Sequence, residues 1–511
     1  MRLRPTFAAT RARQYRRPGG PWDVPTLDAV VAPPSIASIR LVDDAVRLTG
    51  PEVEAMVAAL AGGLRARGVR RTDVVTWQLP NWHESVLLYR ACWRIGAIAA
   101  PLHHSWGPSE VGGMLDLLEP RVVLGGTGMP AREAREAVPV RGPGGAFPSL
   151  LDGGRPVHDG GGRPTDIAVV VFTSGSTGEP KAVLHTQRSL AYKARLMAGV
   201  HELGRDDTVL MPAPLAHVSG LLNAVLVPGA AGMRTVLMER WDPEAALTAI
   251  EDHSVTFMVG PPTFFLGLMS ASMFSRERVA SLELVSSGGA GVSPAFVAEA
   301  SDALGCRVKR SYGSTEAPTM TTTTSSDSPH QAQETDGRPV GEVELRISDT
   351  GTGRALPTGA EGELWVRGPE LFAGYADEAQ TREATERGWF RTGDLARLDE
   401  DRSLTIVGRL KDVIIRGGEN IATAEVESTL EAHPSVRQAV AVGYPDARLG
   451  ERVAVFVVSD GPFDLDACRA WFAERGVARF KVPEHIVLVS DVPSTATGKP
   501  DRAALRERLP G

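Results

Sequence analysis

Apolar positions along the chain switch between two periods. In GPEVEAMVAALAGGLRARGV (50–69), Val53, Met56, Val57, Leu60 and Leu64 recur at helical spacing. DVVTWQL (73–79) follows directly and predicts a strand. The alternation returns further on: a helix over 243–252, strands at VTFMVG (255–260) and LELVSS (282–287), and a helix over 293–304. Short apolar strands alternating with amphipathic helices predict an α/β fold with largely parallel sheets. From about residue 412 the texture changes. QAVAVGY, VAVFVVS and HIVLVSDV predict strands and 464–475 a helix, which makes a small α+β unit. The join falls near Gly408–Asp412, so we divide the chain into a large domain over 1–410 and a small one over 411–511. The Gly/Pro/Arg-rich 141–165 predicts an exposed loop, and TMTTTTSSDS (319–328) a polar low-complexity loop.

Composition narrows the function classes. At 511 residues the chain exceeds one core, which agrees with the two-part pattern. The net charge of −7 leaves no basic surplus to hold nucleic acid. Three separated cysteines exclude a disulfide framework and a CxxC metal site, and with the absence of a long apolar run they predict a cytoplasmic protein with no membrane span. The first 20 residues carry six arginines, no acid and no apolar signal core, and predict a poorly ordered basic tail.

The candidate chemistry begins at TSGSTGEPK, Thr173 to Lys181. The preceding DIAVVVF suits a strand buried on both faces. A Gly/Ser/Thr loop after such a strand turns N–H groups and hydroxyls toward an anion, and Lys181 adds a mobile positive charge. The spacing is not that of a Walker loop, because the lysine follows Gly178 by three with Pro180 between. Alone, the stretch is hardly better as a phosphate cradle than as a surface turn. Distant partners change the balance. RSYGSTEAP (310–318) offers Tyr312, Thr315 and Glu316; the run 388–421 offers Asp394, Arg409, Lys411 and a glycine pair; PSTATGKPDRAALRE (493–507) sets Lys499 on a Thr-Gly turn. Singly, each has a plainer reading as core tyrosine, helix-start acid, turn aspartate or surface lysine. Together, in this order, chance explains them poorly.

On these blocks the chain resembles the adenylate-forming superfamily, in its acyl-CoA synthetase branch, similar to cyclohexanecarboxylate- and fatty-acid-CoA ligases. The resemblance implies a large domain of stacked αβ sheets and a small mobile domain hinged at Lys411. It implies two half-reactions: a carboxylate attacks the α-phosphorus of ATP, and a thiol then displaces AMP. Lys499, Glu316, Thr315 and His217 would be catalytic, with Mg²⁺ held through Glu316 and phosphate oxygens. Thr173, Ser174, Gly175, Ser176, Thr177, Gly178 and Lys181 would grip the β- and γ-phosphates. Gly289, Ala290, Gly291, Ser311, Tyr312, Gly313 and Ser314 would line the nucleotide, with Tyr312 on adenine, Asp394 on the ribose and Arg409 on ribose or phosphate. Gly417 and Gly418 would line the passage for coenzyme A. Ala182, Thr423 and Pro500 depart from the usual residues, and none removes a charged group.

The resemblance places the acid pocket at APLAHVSGLL (213–222), with His217, Val218, Val259, Gly288 and Gly313. No acidic residue there pairs an α-amino group, and an unpaired ammonium in an apolar pocket is costly. The implied substrate is an acid with an apolar body: medium-chain fatty, alicyclic or terpenoid-like. Coenzyme A is the leading thiol, and a phosphopantetheinyl carrier protein acting in trans is the alternative. A nucleotide-binding protein without chemistry is the third reading. Nothing in the sequence decides between a monomer and a homo-oligomer.

Overall fold

The structure is a computed structural model that describes residues 9–32, 38–133, 137–141, 147–158, 160–173, 180–416, 419–446, 448–495 and 499–509. Ser174, Gly175, Ser176, Thr177, Gly178, Gly417 and Gly418 lie outside the described residues.

Two mixed sheets frame the large domain. In the nine-stranded sheet, six neighbouring strands run parallel: Arg307–Tyr312, Leu284–Gly288, Phe257–Gly260, Thr208–Met211, Arg234–Leu237 and Ile39–Val42. In the seven-stranded sheet, Ile167–Thr173, Ile98–Leu102, Val74–Gln78, Val122–Gly125 and Val138–Pro139 are parallel, and Lys181–Thr186 is antiparallel to Ile167–Thr173. A single buried cluster joins the two sheets through the helices Gly50–Ala66, His83–Ile95 and Gln187–Val200. A five-stranded antiparallel sheet over 344–409 follows, with its own core around Leu364, Phe372 and Phe390. After the turn Leu410–Asp412 the chain enters a second five-stranded sheet whose buried clusters draw only on residues from Ile414 onward. The large αβ part and the smaller C-terminal part thus have separate cores, as the hydrophobic pattern predicts.

The helix Gly50–Ala66 shows how sequence sets local structure. Thr49 and Glu52 form a capping box, Pro51 sits in the first turn, and Val53, Val57, Leu60 and Leu64 face inward. Gly62 and Gly63 complete that face. A Cβ on Gly63 would fall 1.7 Å from the Leu150 carbonyl oxygen, and one on Gly62 would fall 2.2 Å from that of Arg155. This close approach corrects the reading of 141–165 as an exposed loop. Its described part includes the helix Phe147–Leu151, with Phe147 and Leu150 buried against the glycine face.

Two further expectations need correction. Residues 319–328 are not loop throughout: Thr321–Thr322 is a strand between Arg307–Tyr312 and Arg338–Pro339, and Thr321, Thr322 and Thr323 are buried. Their polar atoms are satisfied inside, since Thr321 Oγ1 donates to the Asp336 carbonyl (2.7 Å), Thr322 Oγ1 to that of Arg310 (2.9 Å), and Lys309 Nζ to that of Thr323 (2.7 Å). Nor are residues 11–22 a loose tail. Tyr15 and Trp22 pack edge to face at 5.0 Å, Trp22 Nε1 donates to the Pro369 carbonyl at 2.9 Å, and Arg188 lies 3.7 Å over the Trp22 ring. Arg11 pairs with Glu344 and Arg17 with Glu342, so acids distant in sequence neutralise part of the basic run.

Candidate active site

The residues singled out in sequence collect where the parallel strands end. Thr173 closes one strand of the smaller sheet; Gly260, Gly288 and Tyr312 close strands of the larger, and His217 follows the strand that ends at Met211. In open α/β sheets this carboxyl edge is where ligands bind, because the loops there are free to vary over a rigid frame. Asn81 fastens the two sheets at that edge. It donates to the carbonyls of Ala213 (2.9 Å) and Met238 (3.1 Å) and accepts from the Leu215 N–H (2.8 Å). Tyr89 Oη donates to the Leu215 carbonyl (2.8 Å), so the His217 loop is held from two sides.

His217 precedes the short helix Val218–Gly220 and a wide π-type turn, Leu221–Leu226, an arrangement frequent at functional sites. Burial, and next the charge of Lys499, push its imidazole down to about 4, so it is neutral in the working range. Val218 is half-buried beside it, whereas Val259 is in the main core. Gly288 and Gly313 meet backbone: a Cβ on Gly288 would fall 2.3 Å from the Ser311 carbonyl oxygen, and one on Gly313 would fall 2.4 Å from the Thr319 nitrogen. Strand contact and a tight loop, rather than room for a substrate, require these two glycines.

Around the positions expected to line the nucleotide the structure builds one network. Ser311 lies on the strand paired with Gly288, and Tyr312 ends it. Tyr312 Oη donates to Asp394 Oδ2, and Arg409 Nε bonds Asp394 Oδ1 at 2.9 Å. Asp394 and Arg409 face each other on antiparallel strands, so strand register brings them together. The Asp394 charge strengthens Arg409 as a cation, and burial raises Tyr312 well above the usual phenol range. Ser314 closes a turn with Ala317, and Gly289 adopts a left-handed φ of +78° that suits glycine. Ala290 is half-buried and Gly291 exposed.

Lys499, from the small domain, reaches this network. A Cβ on Gly289 would lie 3.8 Å from Lys499 Cε. Burial first and Arg409 second push its ammonium down to about 8, while Asp394 and Glu316 act in the opposite direction. The chain beside it is pinned by the Thr495 N–H to the Lys499 carbonyl (2.7 Å) and by the Ser494–Pro500 bridge. Pro500 therefore fits the local backbone. Lys411 is exposed in the turn Leu410–Asp412 and contributes to the field at Lys499.

Thr173 and Lys181 are register partners in an antiparallel pair. Lys181 thus opens a strand that runs back along Ile167–Thr173, whereas a Walker lysine stands at the start of a helix. Ala182, one residue on, is buried opposite Phe172.

Three residues that sequence reasoning passed over support the same site. His185 Nε2 donates to the Thr315 carbonyl at 2.7 Å and fixes the loop ahead of Glu316; its burial sets it at about 4. Tyr375 Oη donates to Glu316 Oε1 at 2.6 Å. His103 lies with its ring 4.8 Å from that of His217. The Ser105 N–H donates to His103 Nδ1 (3.1 Å), so the proton of the neutral ring is on Nε2, which has no partner among the described residues. The signal available for His103 was its place directly after the strand Ile98–Leu102.

Fold and site together define an adenylate-forming enzyme, and comparison with known proteins agrees. The family described as AMP-binding enzyme matches residues 28–376, and its C-terminal domain matches 425–499. The chain belongs to this family. It is 32% identical to the medium-chain fatty-acid–CoA ligase of Escherichia coli (strain K12), over 100% of this chain and 94% of that protein. It is 33% identical to a feruloyl-CoA synthase of an Amycolatopsis species, over 90% and 94% respectively. Among solved structures, ATP-bound MatB from Rhodopseudomonas palustris superimposes with a TM-score of 0.85 at 26% identity, covering 94% of this chain and 98% of that one.

Proposed function

We propose that the protein is an AMP-forming acid–CoA ligase for a carboxylic acid with an apolar body, of the medium-chain fatty, alicyclic or terpenoid-like kind. The observation that supports this most is the convergence of Lys499 with His217, Glu316, Asp394 and Arg409 at one sheet edge, from two parts of the chain with separate cores.

In this reading ATP lies along the carboxyl edge. Tyr312 and Gly289–Gly291 face adenine, Asp394 accepts from the ribose hydroxyls, and Arg409 stands beside the α-phosphate. Thr173 and Lys181, with Ser174–Gly178, hold the β- and γ-phosphates. Lys499 draws the acid carboxylate and the α-phosphate together, so that charge developing as the carboxylate oxygen attacks phosphorus is matched by a fixed cation. Pyrophosphate leaves. The small domain then turns about Lys411, removes Lys499 and brings Gly417 and Gly418 beside the thiol of coenzyme A, which attacks the acyl carbon and displaces AMP.

The donor set at Glu316 fits Mg²⁺: it is a hard oxygen ligand, and its Oε2 has no hydrogen bond among the described residues. When bound, Mg²⁺ would neutralise charge on the departing pyrophosphate. The apolar substrate body is supported by the block 213–222, which has no acid, and by burial that keeps His103 and His217 uncharged. The medium-chain and feruloyl relatives make aliphatic and aryl acids the first panel to try.

The test is a panel of acids with Mg-ATP, read first as pyrophosphate and then, with coenzyme A, as thioester. Release with apolar acids and thioester on coenzyme A support the reading. Release that proceeds to thioester only on a carrier protein would reassign the thiol. Tight ATP binding with no release from any acid would support a binding protein without chemistry.

A further inference from the structure

We propose that Tyr375 is a positioning residue that holds the metal-side carboxylate Glu316 and the phosphate-side Lys181 apart and correctly aimed. The proposal rests on the roles given above to those two groups.

Tyr375 is 5% exposed and lies on the short strand Gly374–Tyr375, antiparallel to the strand that Lys181 opens. Its hydroxyl donates to Glu316 Oε1 at 2.6 Å, and the ammonium of Lys181 sits 5.3 Å from the centre of its ring. The neighbouring backbone grips the same loop, since the Phe372 N–H donates to the Glu316 carbonyl at 2.8 Å. Phe372 also packs edge-on against the Tyr375 ring at 4.9 Å, and the Tyr375 N–H donates to Thr381 Oγ1 at 2.8 Å. The ring is therefore fixed from both sides of its chain.

One side chain thus meets two groups of opposite charge. A lysine and a glutamate this near the same ring attract each other, and a direct ion pair would consume both. No such pair forms among the described residues. The hydroxyl satisfies one oxygen of Glu316 and leaves the other for a cation, while the ring face offers Lys181 a weaker resting place that a phosphate readily outcompetes.

Tyr375→Phe removes the hydroxyl and keeps the ring; Tyr375→Leu removes both. Each is compared with Glu316→Gln and Lys181→Ala in Mg²⁺-dependent pyrophosphate–ATP exchange, in Mn²⁺ binding to the enzyme–ATP complex by electron paramagnetic resonance, and in thermal melting. Tyr375→Phe should weaken Mn²⁺ binding and raise the half-saturating Mg²⁺ by about tenfold, leaving KM for the acid unchanged. Tyr375→Leu should in addition raise KM for ATP as Lys181→Ala does. If Glu316→Gln shifts the metal dependence and Tyr375→Phe does not, the proposal is overturned alone. If Glu316→Gln itself leaves metal binding unchanged, the metal role of Glu316 falls, and the proposal with it. A lowered melting temperature with unaltered metal and ATP dependence would make Tyr375 merely structural.

Discussion

Replacing Lys499 by alanine removes the one cation that the small domain is proposed to lend to bond formation. With the ammonium about 4 Å from the transferring oxygens at an effective dielectric near 20, the lost interaction is about 4 kcal/mol. That corresponds to a roughly thousandfold slower adenylation. The second half-reaction has no use for this lysine, so thioester formation from supplied acyl-adenylate should change little. The pH profile supplies a second readout. Burial, helped by Arg409, sets Lys499 at about 8, and its charged form is the useful one. Adenylation should therefore decline as pH rises through about 8, where a lysine at its ordinary value would hold past 10. Lys499→Arg keeps a charge at all these pH values and should move the decline upward even if its rate is lower. The assay is pyrophosphate release under single-turnover conditions from pH 6 to 10, beside acyl transfer from synthetic adenylate. Equal loss in both halves would refute the role given to Lys499.

Lys411→Pro should stiffen the turn Leu410–Asp412 between the two cores, slowing thiol transfer more than adenylation; normal rates in both would put the hinge elsewhere. Glu427 and Glu431 sit on the helix Thr423–Glu431 and are both pushed up to about 7, chiefly by burial; Arg502 opposes the shift at Glu427, and a Ser293 hydrogen bond from the large domain opposes it at Glu431. A carboxyl raised in the folded state keeps its proton longer than in the unfolded chain, so stability should fall as pH rises from about 4.5 to 7, by at most about 1.4 kcal/mol per pH unit for each group. Urea midpoints at pH 5 and 7 should converge in Glu431→Gln; an unchanged difference would exclude Glu431 as a source.

The sequence made the fold class and much of the candidate site readable, for different reasons. Helix and strand periods carry the αβ frame because burial of one face leaves its mark at regular spacing, as in Val53, Val57, Leu60 and Leu64. The site was readable only through motif resemblance, since Lys499 and His217 are far apart in sequence and no local pattern joins them. What escaped were contacts that depend on tertiary placement. Thr321 and Thr322 look like polar loop until their hydroxyls are seen bonded inside the sheet edge. The arginines of 11–17 look like a loose tail until Glu342 and Glu344 are brought to them. Tyr375 and His185 act through partners on the loop after the strand Arg307–Tyr312, and a single residue type in a strand carries no sign of that.

The chemistry leaves an isotopic mark that tests the central claim. When an acid labelled with ¹⁸O in both carboxylate oxygens is turned over with ATP and coenzyme A, the oxygen that attacks phosphorus stays with AMP after the thiol displaces it. Mass spectrometry should find one ¹⁸O in each AMP, one in each acyl-CoA, and none in pyrophosphate. Label in phosphate or pyrophosphate, or thioester formed with unlabelled AMP, would contradict an acyl-adenylate on this enzyme.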